Sequence, residues 1–285
     1  LFRRRGNPVV AQTGRRGARM NRAERFPRSR ALERMDRADA PEGPLFRTLD
    51  QFGAINRWFT RARGALDTFV LRVLRRAPER SYRLADLGAG GCDLARWLVD
   101  RCRREGLRLT VRAIERDPRI RRYAAAANAG YPEIELVAAD ALDADAWGAP
   151  DFIFANHLLH HLDDEHIVIL LRGLEASGAR YVLSDIVRSR WAAAPYAAIV
   201  GLGFRGGFLL EDGLVSIRRG FRRAELLDYL ARAGVRSDVR VLRRFPFRWF
   251  VVGGPARRHI VHGRARKSKP VPELHDGLTV GIPRF

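Results

Sequence analysis

Apolar residues recur along the chain with two periods, and the changes of period mark its elements. From Leu45 to Arg76 they fall at helical spacing (Leu49, Phe52, Ile55, Trp58, Phe59, then Leu66, Phe69, Val70, Val73, Leu74), which predicts one or two amphipathic helices ahead of any sheet. Short apolar runs follow, each closed by an acidic or glycine-rich turn. Leu84 to Leu87 leads into Gly88–Gly91 and a helix near 93–105, and Leu109 to Glu115 leads into a helix over 118–129. Ile134 to Ala138 ends at Asp140, Phe152 to Ala155 leads into a helix near 163–176, and Tyr181 to Leu183 ends at Ser184-Asp185. Repeated strand-then-helix units imply a parallel sheet covered on both faces. The last stretch breaks the alternation. A helix over 223–233 precedes Val239–Leu242 and Phe247–Val252, two β-rich runs close enough to pair as an antiparallel hairpin at the sheet edge. The expected class is α/β: a doubly wound, mostly parallel seven-stranded sheet with an antiparallel edge strand and a helical cap before it.

Composition changes this picture only at the ends. With 285 residues, 46% of them hydrophobic, the chain can bury one large core, and its 53 basic against 32 acidic residues give a net charge of +21. Such a charge points to nucleic acid only when it lies on the folded domain. Residues 1–34 hold 11 Arg against Glu24 and Glu33, a net of +9, and residues 255–285 hold seven basic residues against Glu273 and Asp276, a net of +5. The 220 residues between carry the remaining +7. Neither end has a hydrophobic period, so the expected organisation is a disordered basic arm over 1–34, one domain over 35–254 and a flexible basic tail over 255–285. All but Lys267 and Lys269 of the basic residues are Arg, a usage that a GC-rich genome produces without selection for binding. Two cysteines, Cys92 and Cys102, cannot build a disulfide framework, and the first 34 residues lack an apolar signal core. The expected location is therefore cytoplasmic.

The sharpest local signal is Asp86-Leu87-Gly88-Ala89-Gly90-Gly91-Cys92-Asp93 after a buried strand. Gly88 and Gly90 permit a tight turn and a close approach of backbone to ligand. In a dinucleotide loop the position of Asp93 would be a third glycine facing pyrophosphate. Carboxylates at Asp86 and Asp93 suit a cationic ligand instead, such as the sulfonium and ammonium groups of S-adenosylmethionine (SAM); by itself Asp93 could equally cap the helix. Glu115 follows Asp86 by one strand–helix–strand unit, where a carboxylate accepts both hydroxyls of a ribose. Asp140 ends the third strand, placed to accept from an adenine amino group. Asp117 reads as the cap of the next helix, with Pro118 at its first position.

With these motifs the sequence resembles class I SAM-dependent methyltransferases over roughly residues 45–254. The resemblance rests on Leu84-Ala85-Asp86-Leu87-Gly88-Ala89-Gly90, Ile114-Glu115-Arg116-Asp117, Ala139-Asp140-Ala141-Leu142 and Asp151-Phe152-Ile153-Phe154-Ala155-Asn156. It implies a Rossmann-like fold, SAM as cofactor and Asn156 lining the cofactor pocket near its methionine end. Cys92 departs from the pattern, since a third glycine often stands there.

Asn156 to His166 carries four of the seven histidines just past the fourth strand. On a helix His160 and His161 would point apart, which argues against a metal site, and none is expected; His166 reads as surface. Methyl transfer to a phenol or enol is faster once the hydroxyl proton is gone, and histidine titrates in the right range to take it. The stretch 159–165 resembles the segment in which small-molecule O-methyltransferases carry their catalytic His. That match falls on His160, with His161 in reserve and Asp185 orienting the base or the acceptor. Asn156-His157-Leu158-Leu159 is not the N-P-P-Y type of motif found in nucleic-acid amino-methylases, which disfavours nucleic acid as partner.

An insertion over 190–220 completes the expected site. Trp191–Leu210 is rich in Ala, Phe and Gly and reads as an apolar wall for a greasy acceptor, or as plain core, while Asp212-Gly213 marks a turn. Ser184–Arg190 and Asp212–Phe221 resemble a subgroup of methyltransferases found beside type III polyketide synthases. The function so implied is methyl transfer from SAM to a hydroxyl of a small hydrophobic acceptor such as an alkyl-resorcinol or alkyl-pyrone. Two alternatives stand beside it: C-methylation of a quinone precursor, and an RNA-binding or RNA-modifying role for the Arg-rich ends. Those ends could also hold the protein at the inner face of an anionic membrane.

Overall fold

The structure, a computed structural model, describes residues 26–255. The first 25 residues of the expected arm and the tail beyond Pro255 lie outside the described residues. One sheet contains β1 (Ser81–Leu87), β2 (Arg108–Ile114), β3 (Ile134–Val137), β4 (Phe152–Asn156), β5 (Arg180–Ile186), β6 (Arg240–Arg244) and β7 (Arg248–Gly253), in the order β3-β2-β1-β4-β5-β7-β6. Strands β1 to β5 are parallel, and the expected hairpin closes the sheet, with β7 running antiparallel to both β5 and β6. The order reverses between β1 and β4, and open α/β sheets bind ligands beyond the strand ends at such a reversal.

The N-terminal cap consists of α1 (Glu42–Trp58), then α2 (Ala62–Leu66), which continues through a π turn at Asp67–Leu71 into α3 (Arg72–Leu74). Behind the strands come α4 (Asp93–Glu105), α5 (Pro118–Ala127) and α6 (Asp164–Ser177). The C-terminal half adds α7 (Arg190–Gly203), α8 (Leu209–Arg219) and α9 (Arg223–Ala233). Strand side chains alternate between faces, so Tyr82 and Leu84 pack with Leu94 and Leu98 of α4, while Ala85 and Leu87 share a second core with Ile167 of α6 and Leu226 of α9. Burial on both faces explains why β1 and β4 read as continuous apolar runs.

Two expectations change. The boundary of the domain at residue 35 is too late, because residues 26–34 form a strap packed on α8 and α9. Arg28 donates to Asp164 Oδ1 (2.7 Å) and to the Leu162 carbonyl (2.9 Å), with its guanidinium 4.5 Å from the centre of the Phe221 ring. Glu33 is buried and accepts from Ser216 Oγ at 2.7 Å. The strap has no regular secondary structure, so no periodicity announces it. Asp212-Gly213 is not a turn but lies inside α8. The Asp212 carboxylate receives the backbone N–H groups of Arg34 (2.6 Å) and Met35 (3.1 Å), and a Cβ on Gly213 would overlap the Tyr196 hydroxyl, so both residues serve packing across elements.

Candidate active site

A cleft of about 1230 Å³, counting its open mouth, lies beyond the ends of β1, β2 and β4. Asp86, Gly88, Gly90, Asp93, Glu115, Asp140 and Asn156 all line it, so the structure brings together every residue to which the sequence assigned cofactor contact. Gly88 and Gly90 take left-handed φ of 64° and 53°, as the tight loop requires. Cys92 does the same at φ 59°, buried, as the residue before α4. A side chain in that conformation costs on the order of 1 kcal/mol relative to glycine.

The acids differ in how they are held. Glu115 accepts the N–H of Gly90 on one oxygen (3.1 Å) and of Asp117 on the other (2.9 Å), which fixes the carboxylate while leaving lone pairs for a diol. Asp140 closes a turn onto the Leu142 N–H (2.9 Å) and meets Arg116 at 3.2 Å. Asp93 is bound by the side-chain amide of Asn56 (3.0 and 3.1 Å), and Asn56 Oδ1 accepts in turn from Asn156 (3.0 Å). Burial, with the charges of Asp93 and Glu115 beside it, pushes the Asp86 carboxyl up to about 8. A buried acid crowded by like charges is a site prepared for a cation.

A second cavity, about 1030 Å³ and largely apolar, opens on the other side of His157 and His161. Phe52, Ile55 and Phe59 of the cap, Tyr196, Ile199 and Val200 of α7, and Phe247 contribute its greasy walls. The expected apolar wall over 191–210 is thus present. Phe52, His157 and His161 line both cavities and form the partition between them.

The histidines do not sit as helical neighbours. Leu159–His161 is a 3-10 turn, and the His160 and His161 rings lie side by side, tilted by 38° with centroids 4.3 Å apart, rather than pointing away from each other. His160 is buried, with Nδ1 2.8 Å from Asp185 Oδ1 and Nε2 3.3 Å from Glu33 Oε1. Burial alone would lower this ring, but the two carboxylates outweigh it and raise it to about 9. Burial likewise opposes ionisation of Glu33, yet His160 and His161 hold it near 2. Both ring nitrogens of His160 therefore face carboxylates, and the residue lines the apolar cavity alone, whereas His161 lines both cavities. His161 pairs Nδ1 with Asp36 Oδ2 (2.7 Å) and turns Nε2 towards Glu33 Oε2 (3.8 Å). His166 is on the surface, as expected, beside Asp163.

Four contributors were not foreseen: Glu33, Asp36, Asn56 and Arg248. Arg248, buried on β7, donates to His157 Nε2 (3.0 Å), Asn156 Oδ1 (2.8 Å) and Ser184 Oγ (2.7 Å). His157 holds a left-handed φ of 60°, and burial together with Arg248 keeps its ring well below the usual histidine range, so it is neutral and accepts at Nε2. The only sequence sign of these groups was the pair of acids in Glu33-Arg34-Met35-Asp36, at the inner end of an otherwise Arg-rich stretch.

No protein-family model and no curated protein sequence matches the chain. Solved structures do resemble it. The CurJ carbon methyltransferase is 17% identical, with 76% of this chain and 59% of that one covered and a TM-score of 0.54. Human N-acetylserotonin methyltransferase in complex with SAM is 18% identical, with 75% and 56% covered and a TM-score of 0.51. The chain spans less than two thirds of the length of either neighbour. Together with the strand order, these likenesses identify the fold as that of the class I SAM-dependent methyltransferases.

Proposed function

We propose that the chain is a SAM-dependent methyltransferase that delivers the methyl group to a phenolic or enolic hydroxyl of a small hydrophobic acceptor. One observation carries this reading: a polar cleft lined by strand-end carboxylates and an apolar cavity share a wall made of Phe52, His157 and His161. A cofactor in the first and an acceptor in the second would meet at that wall. Glu115 is suited to the ribose hydroxyls, Asp140 to the adenine end, and Asp86, Asp93 and Asn156 to the methionine end, whose ammonium and sulfonium match buried carboxylates. The reaction is an in-line displacement: the acceptor oxygen gives its electron pair to the methyl carbon as the carbon–sulfur bond breaks. The hydroxyl proton passes to the histidine–carboxylate cluster and on to solvent, and S-adenosylhomocysteine leaves uncharged at sulfur. Of that cluster, His161 faces the cofactor side, while Asp185 holds His160 behind it.

The resemblance to methyltransferases beside type III polyketide synthases supports an alkyl-resorcinol or alkyl-pyrone as acceptor. C-methylation is the second reading, because a carbon methyltransferase is among the structural neighbours. A nucleic-acid substrate finds no support in a cavity walled by Phe, Ile and Val. No helix among the described residues is long and apolar enough to cross a membrane, and contact with an anionic membrane surface belongs to this proposal. The test is incubation with labelled SAM and a panel of alkyl-resorcinols and alkyl-pyrones, with the methylated atom located by mass fragmentation. The proposal fails if the protein does not bind SAM, or if Asp86→Ala and Glu115→Ala leave binding unchanged.

A further inference from the structure

We infer that Glu33, His160 and His161 bind one divalent transition-metal cation, zinc by preference, at the polar end of the acceptor cavity. One carboxylate and two imidazoles offer ligand atoms that all lie within 4.8 Å of one another. His160 Nε2 lies 3.3 Å from one oxygen of Glu33 and His161 Nε2 lies 3.8 Å from the other. A charge-assisted hydrogen bond would draw such atoms to about 2.7–2.9 Å. Two ligands each about 2.05 Å from a tetrahedral ion stand about 3.3–3.4 Å apart, by the geometry of the tetrahedron. The 3.3 Å between His160 Nε2 and Glu33 is the spacing of two groups arranged around one ion, and His161 Nε2 stands before the second oxygen of the same carboxylate.

The surroundings support the same assignment independently. Each imidazole has its other nitrogen on a carboxylate: His160 Nδ1 on Asp185 at 2.8 Å and His161 Nδ1 on Asp36 at 2.7 Å. This carboxylate–histidine arrangement fixes the ring and turns Nε2 toward the ion in metal sites. Glu33 is steadied by Ser216 Oγ at 2.7 Å, and Arg219 holds the His160 carbonyl at 2.6 Å. Two nitrogens and one carboxylate suit zinc or another first-row ion, not magnesium or calcium, which take oxygen. Three protein ligands leave a fourth position, and all three residues line the apolar cavity, so that position opens to whatever the cavity holds.

The role of the cation rests on the methyltransferase reading; its binding does not. A hydroxyl oxygen at the open position would ionise more readily on a Lewis acid, which then takes the place of the histidines in removing the proton: the proton leaves directly to solvent before the oxygen takes the methyl group, with no change of oxidation state. The rival account is a metal-free ion pair of His160 with Glu33 and Asp185.

The full-length chain, purified without an affinity tag and stripped by a chelator, is titrated with zinc against a chromogenic chelator and separately with cobalt(II). One equivalent of zinc should be taken up, and cobalt should give the intense visible bands of a four- or five-coordinate ion. Glu33→Gln and His161→Asn should each weaken uptake by about 100-fold, and Asp36→Asn by about 10- to 100-fold. No stoichiometric uptake by the wild-type chain, or uptake unchanged in both ligand variants, overturns the site; the cobalt spectrum of the wild type decides even if a variant misfolds. SAM binding measured on the same samples separates the two proposals: metal without SAM leaves the cation site and removes the methyltransferase reading, and SAM without metal does the reverse.

Discussion

Asp86 is the residue on which cofactor chemistry and stability meet. Its folded value of about 8 lies above the ordinary carboxyl value of 3.8, so at neutral pH the acid is mostly protonated unless a cation stands beside it. The sign follows from linkage: the stabilisation from keeping this proton is complete below about pH 4 and is lost as pH rises through 8. A ligand bearing an ammonium and a sulfonium favours the carboxylate, so SAM binding at pH 7 should release up to about one proton. Calorimetry in two buffers of different ionisation heat reads that number directly. S-adenosylhomocysteine, without the sulfonium charge, should release fewer, and Asp86→Asn should lose most of the release, leaving only what the burial-raised Asp93 and Glu115 contribute; release unchanged in Asp86→Asn refutes the assignment. Arg248 is the opposite case, a buried cation whose three acceptors need it. Arg248→Met should destabilise the fold by about 3–5 kcal/mol, read from the urea midpoint, because the buried Ser184 hydroxyl and the half-buried Asn156 and His157 lose their donor and Asp185 loses a neighbouring positive charge. The contrast explains what the sequence made legible. Glu115 and Asp140 each end an apolar run and Asp86 stands one residue before the end of its own, next to the glycines, so the pattern marks them, whereas Arg248 begins a strand like any surface arginine and only the fold reveals its burial.

At the scale of elements, periodic segments were readable and aperiodic ones were not. The hairpin of β6 and β7, the helices of the cap and the strand–helix units all appear where the hydrophobic period put them, because each buries one face against the sheet. The strap over 26–34 has no period, and its burial depends on single partners presented by α8 and α9. A rule that reads Arg-rich aperiodic sequence as an arm therefore discards Glu33, a side chain in contact with both site histidines. The 3-10 turn that sets His160 beside His161 was misread for the same reason, since one turn of three residues leaves no pattern. Deletion of residues 1–25 and of 1–34 should consequently behave differently. The longer deletion removes Arg28 from Asp164, Leu162 and Phe221 and Glu33 from Ser216 and His160, and relative to the shorter one it should cost roughly 2–4 kcal/mol in denaturant titration. It should also lower methyl transfer at least about 10-fold. Equal stability of the two truncations would show that the strap does not hold the site.

At the scale of the whole molecule, charge and exposed apolar surface bear on the route the proposed acceptor would take. The described residues 26–255 carry +9 of the +21, and residues 1–25 and 256–285 together carry the other +12. Large apolar side chains stand in solvent at Trp58, Trp191, Leu202 and Phe245, the last two more than three-quarters exposed. Three of the four directly adjoin in sequence residues that line the acceptor cavity, namely Phe59, Ala192 and Pro246, and Leu202 shares α7 with Ile199 and Val200. Arginines 57, 61, 190 and 244 lie within a few positions of them. Exposed aromatic and aliphatic groups with arginines near them in sequence suit an anionic bilayer, with aromatic groups in the interface and arginines at the headgroups. The cavity would then open toward the phase in which a long-chain phenol is dissolved. Burying half of three such side chains contributes on the order of 3 kcal/mol at about 25 cal/mol per Å², roughly 100-fold in partition. Replacing Trp191, Leu202 and Phe245 by Ser should therefore reduce binding to phosphatidylglycerol vesicles by at least about 10-fold, as measured by co-sedimentation. Turnover of a long-chain acceptor presented in vesicles should fall in parallel, while turnover of a short-chain, water-dissolved acceptor holds, because none of the three residues lines the cavity. Wild-type binding should weaken in high salt and on zwitterionic vesicles. If the triple variant partitions as the wild type does, the rim is not the contact, and the acceptor reaches the cavity through water.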